Sequence, residues 1–286
     1  MKTIYRIIER YPVLIFYILA FAISWGTLLW VMDPENFVGA KVTAESKMPL
    51  LFLAILSGPT VAGLMLTGIL HGREGVRRLL SQLLKWRVGA RWYAAALLTA
   101  PLVMAGTLFL LSRFSPAFQP SIVTADGRVA FLIAGIMGGL AAGIFEELGW
   151  TGFALSELRQ RYRVIPTGLI IGVLWGAWHF PLFSASGHFA EAIPPFLYIL
   201  VLLFSFLPPY RVLMVWVYDH TDSLLLAVLM HMSLTAGTLI LQPTVTGSQA
   251  MIYNLALAGV LWLIAIGITV TNRLQASRQH ISKRAA

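Results

Sequence analysis

Cysteine is absent from the 286 residues, which excludes disulfides, thiolate nucleophiles and Cys-ligated metals. Acidic residues are scarce as well: twelve Asp and Glu stand against 21 Lys and Arg. The HExxH pattern of zinc peptidases is missing, and so are the GxxxxGK[ST] and GxGxxG loops. Neither that zinc motif nor nucleotide chemistry therefore has support. Ser184-Ala185-Ser186-Gly187, the one hint of a serine-type site, falls in a loop after a proline-containing segment, a poor place for a nucleophile.

Apolar residues are what the chain has in quantity. Hydrophobic types make up 58% and charged types 12%, and the mean hydropathy is +0.78. Those values mark a polytopic membrane protein. A bilayer core takes about 20 apolar residues per helix. About eight such stretches occur, near 13–32, 49–70, 92–112, 129–156, 166–183, 193–208, 223–241 and 250–271. Backbone groups left unpaired in lipid are too costly for anything but helix over such runs. The expectation is an all-α polytopic integral membrane protein, one helical domain over 1–286, with the lipid bilayer as its surroundings.

The net charge of +9 is placed for a membrane rather than for nucleic acid, which is not an expected partner. Lys2, Arg6 and Arg10 precede the first span, and Arg73, Arg77, Arg78, Lys85, Arg87 and Arg91 follow the second. Arg159, Arg161 and Arg163 follow the fourth span, Arg211 follows the sixth, and Arg273, Arg278, Lys283 and Arg284 form the tail. The intervening loops are poor in positive charge, so the positive-inside rule puts both termini in the cytoplasm. The segment 71–91 reads as a basic surface helix near anionic headgroups. The first apolar run is too long for a signal peptide and lacks a small-residue cleavage site, so it reads as a retained helix. Gly135, Gly138, Gly139 and Gly143 permit close helix packing. Trp30, Trp86, Trp92 and Tyr210 fit interface anchors.

Against this background, Glu146 and Glu147 at the end of the apolar run 131–145 stand out. A charge at membrane depth costs roughly 2.5 kcal/mol or more, so such a residue is functional by default and needs a partner. Glu146 lies 17 residues before Arg163 and His179 lies 16 after it. With a basic turn between antiparallel helices, the two reach nearly the same level. Adjacent glutamates are about 100° apart around a helix, so one can act while the other orients or pairs elsewhere. Trp175 with His179, and His231 with Thr235, each share a helix face at i and i+4. These types suit amide hydrolysis: a glutamate activates water, and an imidazole and a hydroxyl donate to the developing oxyanion. Alternatively, Glu146, His179 and His231 hold zinc with an open position for water. The sequence leaves both open.

The segments EELGWTGFAL, WGAWHFP and SLLLAVLMHMSLT together resemble the CPBP family of intramembrane proteases, the CAAX prenyl endopeptidases with their bacteriocin-processing and abortive-infection relatives. The family's signatures are Glu-Glu-x-x-x-Arg, Phe-x-x-x-His and His-x-x-x-Asn on separate helices. Here they fall on Glu146-Glu147 to Thr151, Trp175 to His179 and His231 to Thr235, within a similar region of about 50–240 that includes GPTVAGLMLTG near Gly58. The resemblance implies a peptidase of membrane-associated peptides or proteins, its site opening to the cytoplasm. Glu146 would be the base, assisted by His179; His231 and Thr235 would stabilise the oxyanion, and Glu147 would orient. A metal-free mechanism needing no cofactor is the favoured reading, with zinc as the alternative, and a bacterial cytoplasmic membrane is the implied location.

Three positions depart from the pattern. Trp175 replaces phenylalanine, an aromatic exchange, and Thr235 replaces asparagine, keeping one donor of shorter reach. Thr151 replaces arginine and removes the cation one turn beyond Glu147. Glu147 is then expected to be protonated or to pair elsewhere, with Arg159 as the candidate. That departure leaves a catalytically weak or inactive member, acting as a scaffold or a bacteriocin-immunity protein, as the rival reading. A proton-relaying transporter is the third, but no convincing inverted repeat is present.

Overall fold

The computed structural model describes residues 2–31, 48–181 and 194–285. A polar helix, Lys2–Arg10, leads into α1 (Pro12–Val31), and the chain then runs through α2 (Met48–Leu83), α3 (Ala90–Ser112), α4 (Arg128–Gly149), α5 (Val164–Trp178), α6 (Pro195–Phe204), α7 (Leu207–Thr221), α8 (Leu224–Leu241) and α9 (Gly247–Ala285). No strand occurs among the described residues. Seven helical stretches there are long and apolar enough to cross a membrane, and α5 is a shorter apolar helix of 15 residues. Together they account for the eight expected stretches. The protein is an all-α polytopic integral membrane protein. The Ser184-Ala185-Ser186-Gly187 segment lies outside the described residues.

Hydroxyls and small residues join the helices, as expected where lipid gives no hydrophobic drive for helix to meet helix. Pro59 inside α2 has no N–H for the Ile55 carbonyl one turn back. The Ser24 hydroxyl of α1 donates to that carbonyl at 2.6 Å, so the proline's missing bond becomes an interhelical one. Thr27 adds a bond to Ala54 O at 2.9 Å, and Thr60 donates to Phe145 O of α4. Gly72 interrupts α2 at φ 59° and ψ −154°, a conformation that favours glycine. Beyond it run the basic residues expected on a surface helix.

The sixth expected span is longer than the sequence indicates. The helical axis breaks at Ser205 and Phe206 and resumes as α7, with Pro208 and Pro209 in its first turn. Prolines are tolerated there because the first N–H groups have no intrahelical partner. What reads as a loop after the sixth span is therefore buried helix. Tyr210 is fully buried, with its hydroxyl donating 2.7 Å to Met230 O, and Trp92 is buried too. Neither is an interface anchor, whereas Trp30 and Trp86 are exposed as expected.

Candidate active site

The site is assembled by glycine on α4. A Cβ on Gly139 would stand 2.6 Å from Met232 O, and one on Gly143 would stand 2.5 Å from Val228 O. Because neither has one, α4 and α8 meet backbone to backbone, and His231 of α8 lies against the next turn of α4, which carries Glu146 and Glu147. On α5, Gly168 and Gly172 similarly admit Val212 and Pro208 of α7. After Gly149 the α4 helix widens into a π-helical segment, Trp150–Leu155. Such segments often occur at functional sites. Trp150 and Thr151, four residues past the two glutamates, turn back over them.

Glu146 is 3% exposed. Its Oε2 accepts the indole N–H of Trp175 at 2.8 Å and that of Trp150 at 3.1 Å. Its Oε1 makes no hydrogen bond with any described residue and lies 3.7 Å from His231 Nε2. That separation is too long for a direct hydrogen bond. The His231 ring packs edge-on to Trp175, centroids 4.9 Å apart.

Glu147 is fully buried and surrounded by donors. Its Oε1 accepts from His231 Nδ1 and Arg211 Nη1, each at 2.7 Å, and its Oε2 accepts from the Thr151 hydroxyl. Arg211 Nη2 donates to the same Thr151 oxygen at 2.9 Å. This corrects two expectations. The partner of Glu147 is not Arg159, which pairs with Asp219 at 2.7 Å. Arg211 is not a loop residue: it is 0% exposed on α7, with its guanidinium 5.8 Å from the Trp175 ring centroid. Sequence reasoning missed it because the Pro208-Pro209 pair looks like a helix end. The usable signal was a lone arginine in LPPYRVLMVWV, an apolar setting that demands a buried anion.

The other predicted residues sit around this core. His179 ends α5 one turn beyond Trp175, half-buried. Its Nδ1 is 2.9 Å from Trp175 O, and its ring lies against Trp178, centroids 4.7 Å apart. On α5, the group bonded to Glu146 is thus the Trp175 indole. Thr235, half-buried one turn beyond His231, makes no side-chain hydrogen bond among the described residues. A cavity of about 1030 Å³ begins at Gly152, just past the glutamates, and is bordered by Thr67, His71, Arg78, Ser156 and Tyr218.

Of the three residues that would hold zinc, Glu146 Oε1 and His231 Nε2 face each other at 3.7 Å, while His179 has its Nδ1 2.9 Å from Trp175 O. Both oxygens of Glu147 and the Nδ1 of His231 are committed to each other or to Arg211 and Thr151. Among the described residues, no three His, Asp or Glu side chains are grouped to hold a metal ion. What the arrangement offers is one carboxylate oxygen facing one imidazole nitrogen, both nearly sealed from water.

Comparisons with known proteins cover the helices that carry these residues. Residues 128–237 match the family model of type II CAAX prenyl endopeptidase Rce1-like proteins, a segment that holds Glu146, Glu147, Trp175, His179, Arg211, His231 and Thr235. CAAX prenyl protease 2 of Methanococcus maripaludis is 27% identical over 136 residues, 47% of this chain and 48% of that protein. The chain thus spans about half the length of the curated relative it matches. The three motifs lie on adjoining helices and both matches cover them, so over this segment the chain is similar to CAAX-protease-like membrane proteins.

Proposed function

We propose that the chain is an intramembrane endopeptidase, with Glu146 as the base that activates water for hydrolysis of a peptide bond in a membrane-associated peptide or protein. The observation that carries this reading is the pair Glu146 Oε1 and His231 Nε2, facing each other across 3.7 Å. A neutral His231 that donates through Nδ1 to Glu147 has a lone pair on Nε2. A water beside both atoms donates one hydrogen to each and turns an oxygen lone pair outward. As that oxygen adds to the substrate carbonyl carbon, Glu146 takes its proton. The C–N bond then breaks, Glu146 passes the proton to the leaving nitrogen, and a carboxylic acid and an amine result; the acid's remaining proton then moves to the amine, giving carboxylate and ammonium. The resemblance gives the oxyanion to His231 and Thr235; with His231 Nε2 turned to the water, Thr235 is kept as the oxyanion donor and His179 as the residue assisting Glu146. Glu147 does not touch the water; it orients His231.

The match to the type II CAAX prenyl endopeptidase family model and the named activity of the archaeal relative support peptide hydrolysis as the chemistry. A metal-free course is the reading we favour, and the chelation arm below tests it. The placement of basic segments supports cytoplasmic termini, with the site reached from that side, and neither nucleotide nor nucleic acid takes part.

Purified protein in lipid vesicles, given a membrane-tethered reporter peptide, tests the reading. Wild type is expected to cut the peptide, and Glu146→Gln and His231→Ala should each lose roughly 100-fold or more in rate. Equal rates for wild type and Glu146→Gln would favour the scaffold or immunity reading. Chelation is expected to leave the rate unchanged. A loss reversed by zinc would instead recast Glu146 and His231 as metal ligands.

A further inference from the structure

We infer that Arg211 is the positioning cation of the site, supplied from α7 in place of a cation on α4's own helix. The inference rests on the peptidase reading for its kinetic consequence but on geometry for its substance. A buried arginine must be paired, since an unpaired charge in such a place is strongly destabilising. Arg211 is fully buried and spends one Nη on Glu147 and the other on Thr151. Thr151, in turn, donates to Glu147. The hydroxyl at 151 thus relays between guanidinium and carboxylate, and an arginine at that same position would occupy the space Arg211 now fills.

The consequence reaches His231. The same Oε1 of Glu147 that accepts from Arg211 also accepts from His231 Nδ1. Every group bonded to Glu147 is a donor, which is the environment an ionised carboxylate satisfies. Held in that form, Glu147 requires the proton of His231 on Nδ1 and leaves Nε2 as the acceptor facing Glu146. Arg211 touches neither water nor substrate in this arrangement. It acts through Glu147 on the tautomer and rotation of His231, as outer partners of an imidazole generally do.

Exchange of the cation between helices is the test. Arg211→Ala, Thr151→Arg and the double variant are compared with wild type in the vesicle cleavage assay, with thermal midpoints measured on the same preparations. Arg211→Ala is expected to lower kcat roughly 10- to 100-fold, with KM within about threefold. Thr151→Arg alone is expected to impair the protein, because two guanidinium groups then crowd one carboxylate. The double variant should recover kcat at least about tenfold above Arg211→Ala and melt higher than either single variant. A folded Arg211→Ala with kcat near wild type would overturn the inference. So would a double variant that melts no higher than both singles and cleaves no faster than Arg211→Ala. If wild type shows no Glu146-dependent cleavage, the peptidase reading fails instead. The melting cycle then decides the pairing on its own: rescue in the double variant supports it and additive losses overturn it.

Discussion

Glu146 accepts two indole N–H bonds on one oxygen, from Trp150 and Trp175, and this fixes the rotation of its carboxyl group. Its other oxygen is thereby directed at His231. The exchange of phenylalanine for Trp175 is thus more than a change of aromatic wall, because it adds a donor. Trp175→Phe keeps the ring and removes the bond. A net hydrogen bond of about 1 kcal/mol, somewhat more to a charged acceptor, predicts a loss of roughly 5- to 10-fold in kcat/KM, with Trp150 still in place. Unchanged cleavage kinetics would mean that the indole is only packing. The acids and imidazoles were legible in the sequence because ionisable residues inside apolar runs are rare and costly. Arg211 was not, since the two prolines before it imitate the end of a span. Thr151, read as a loss, is in the structure one end of the hydrogen-bonded link that Arg211 completes.

At the level of elements, the site depends on how closely α4 and α8 approach. Gly139 and Gly143 set that distance, and a side chain at either would meet backbone of α8. Gly143→Val should push the helices apart and destabilise the protein by roughly 1–3 kcal/mol, the usual range for overpacking. It should also slow cleavage at temperatures where the protein remains folded, because His231 moves away from both carboxylates. Thermal midpoint and kcat measured together check this; a full rate with a lowered midpoint would show that the approach matters only for stability. The small-residue stripe was visible in sequence and predicted the close packing. The π-helical turn after Gly149 was not, because nothing in WTGFAL distinguishes a widened turn from an ordinary one. Its effect is local: it carries Trp150 and Thr151, the residues that turn back over the glutamates.

Over the whole molecule, hydropathy located the spans, whereas charge supplies an expectation of orientation. The spans are borne out, with α5 shorter than the rest and α6 and α7 forming one interrupted crossing. Orientation follows from basic segments that alternate with basic-poor ones, a rule about insertion rather than about packing. The lack of native cysteine makes it directly testable. Ser81→Cys near the end of α2 and Gln119→Cys beyond α3, each an exposed position, provide single labels on either side of the α3 crossing. An impermeant thiol reagent is expected to reach residue 81 only from the cytoplasmic side and residue 119 only from the other. The reverse pattern would invert the protein and move the polar cavity beside Gly152 to the outer face.

The account turns on Glu146 and His231 acting together on one water. A double-mutant cycle in the vesicle assay measures that coupling most directly, because groups that act as a unit lose their function once. Glu146→Gln with His231→Ala is predicted to be no slower than the worse of the two single variants. Losses that multiply, with the double variant slower than either by the full effect of the other, would contradict it.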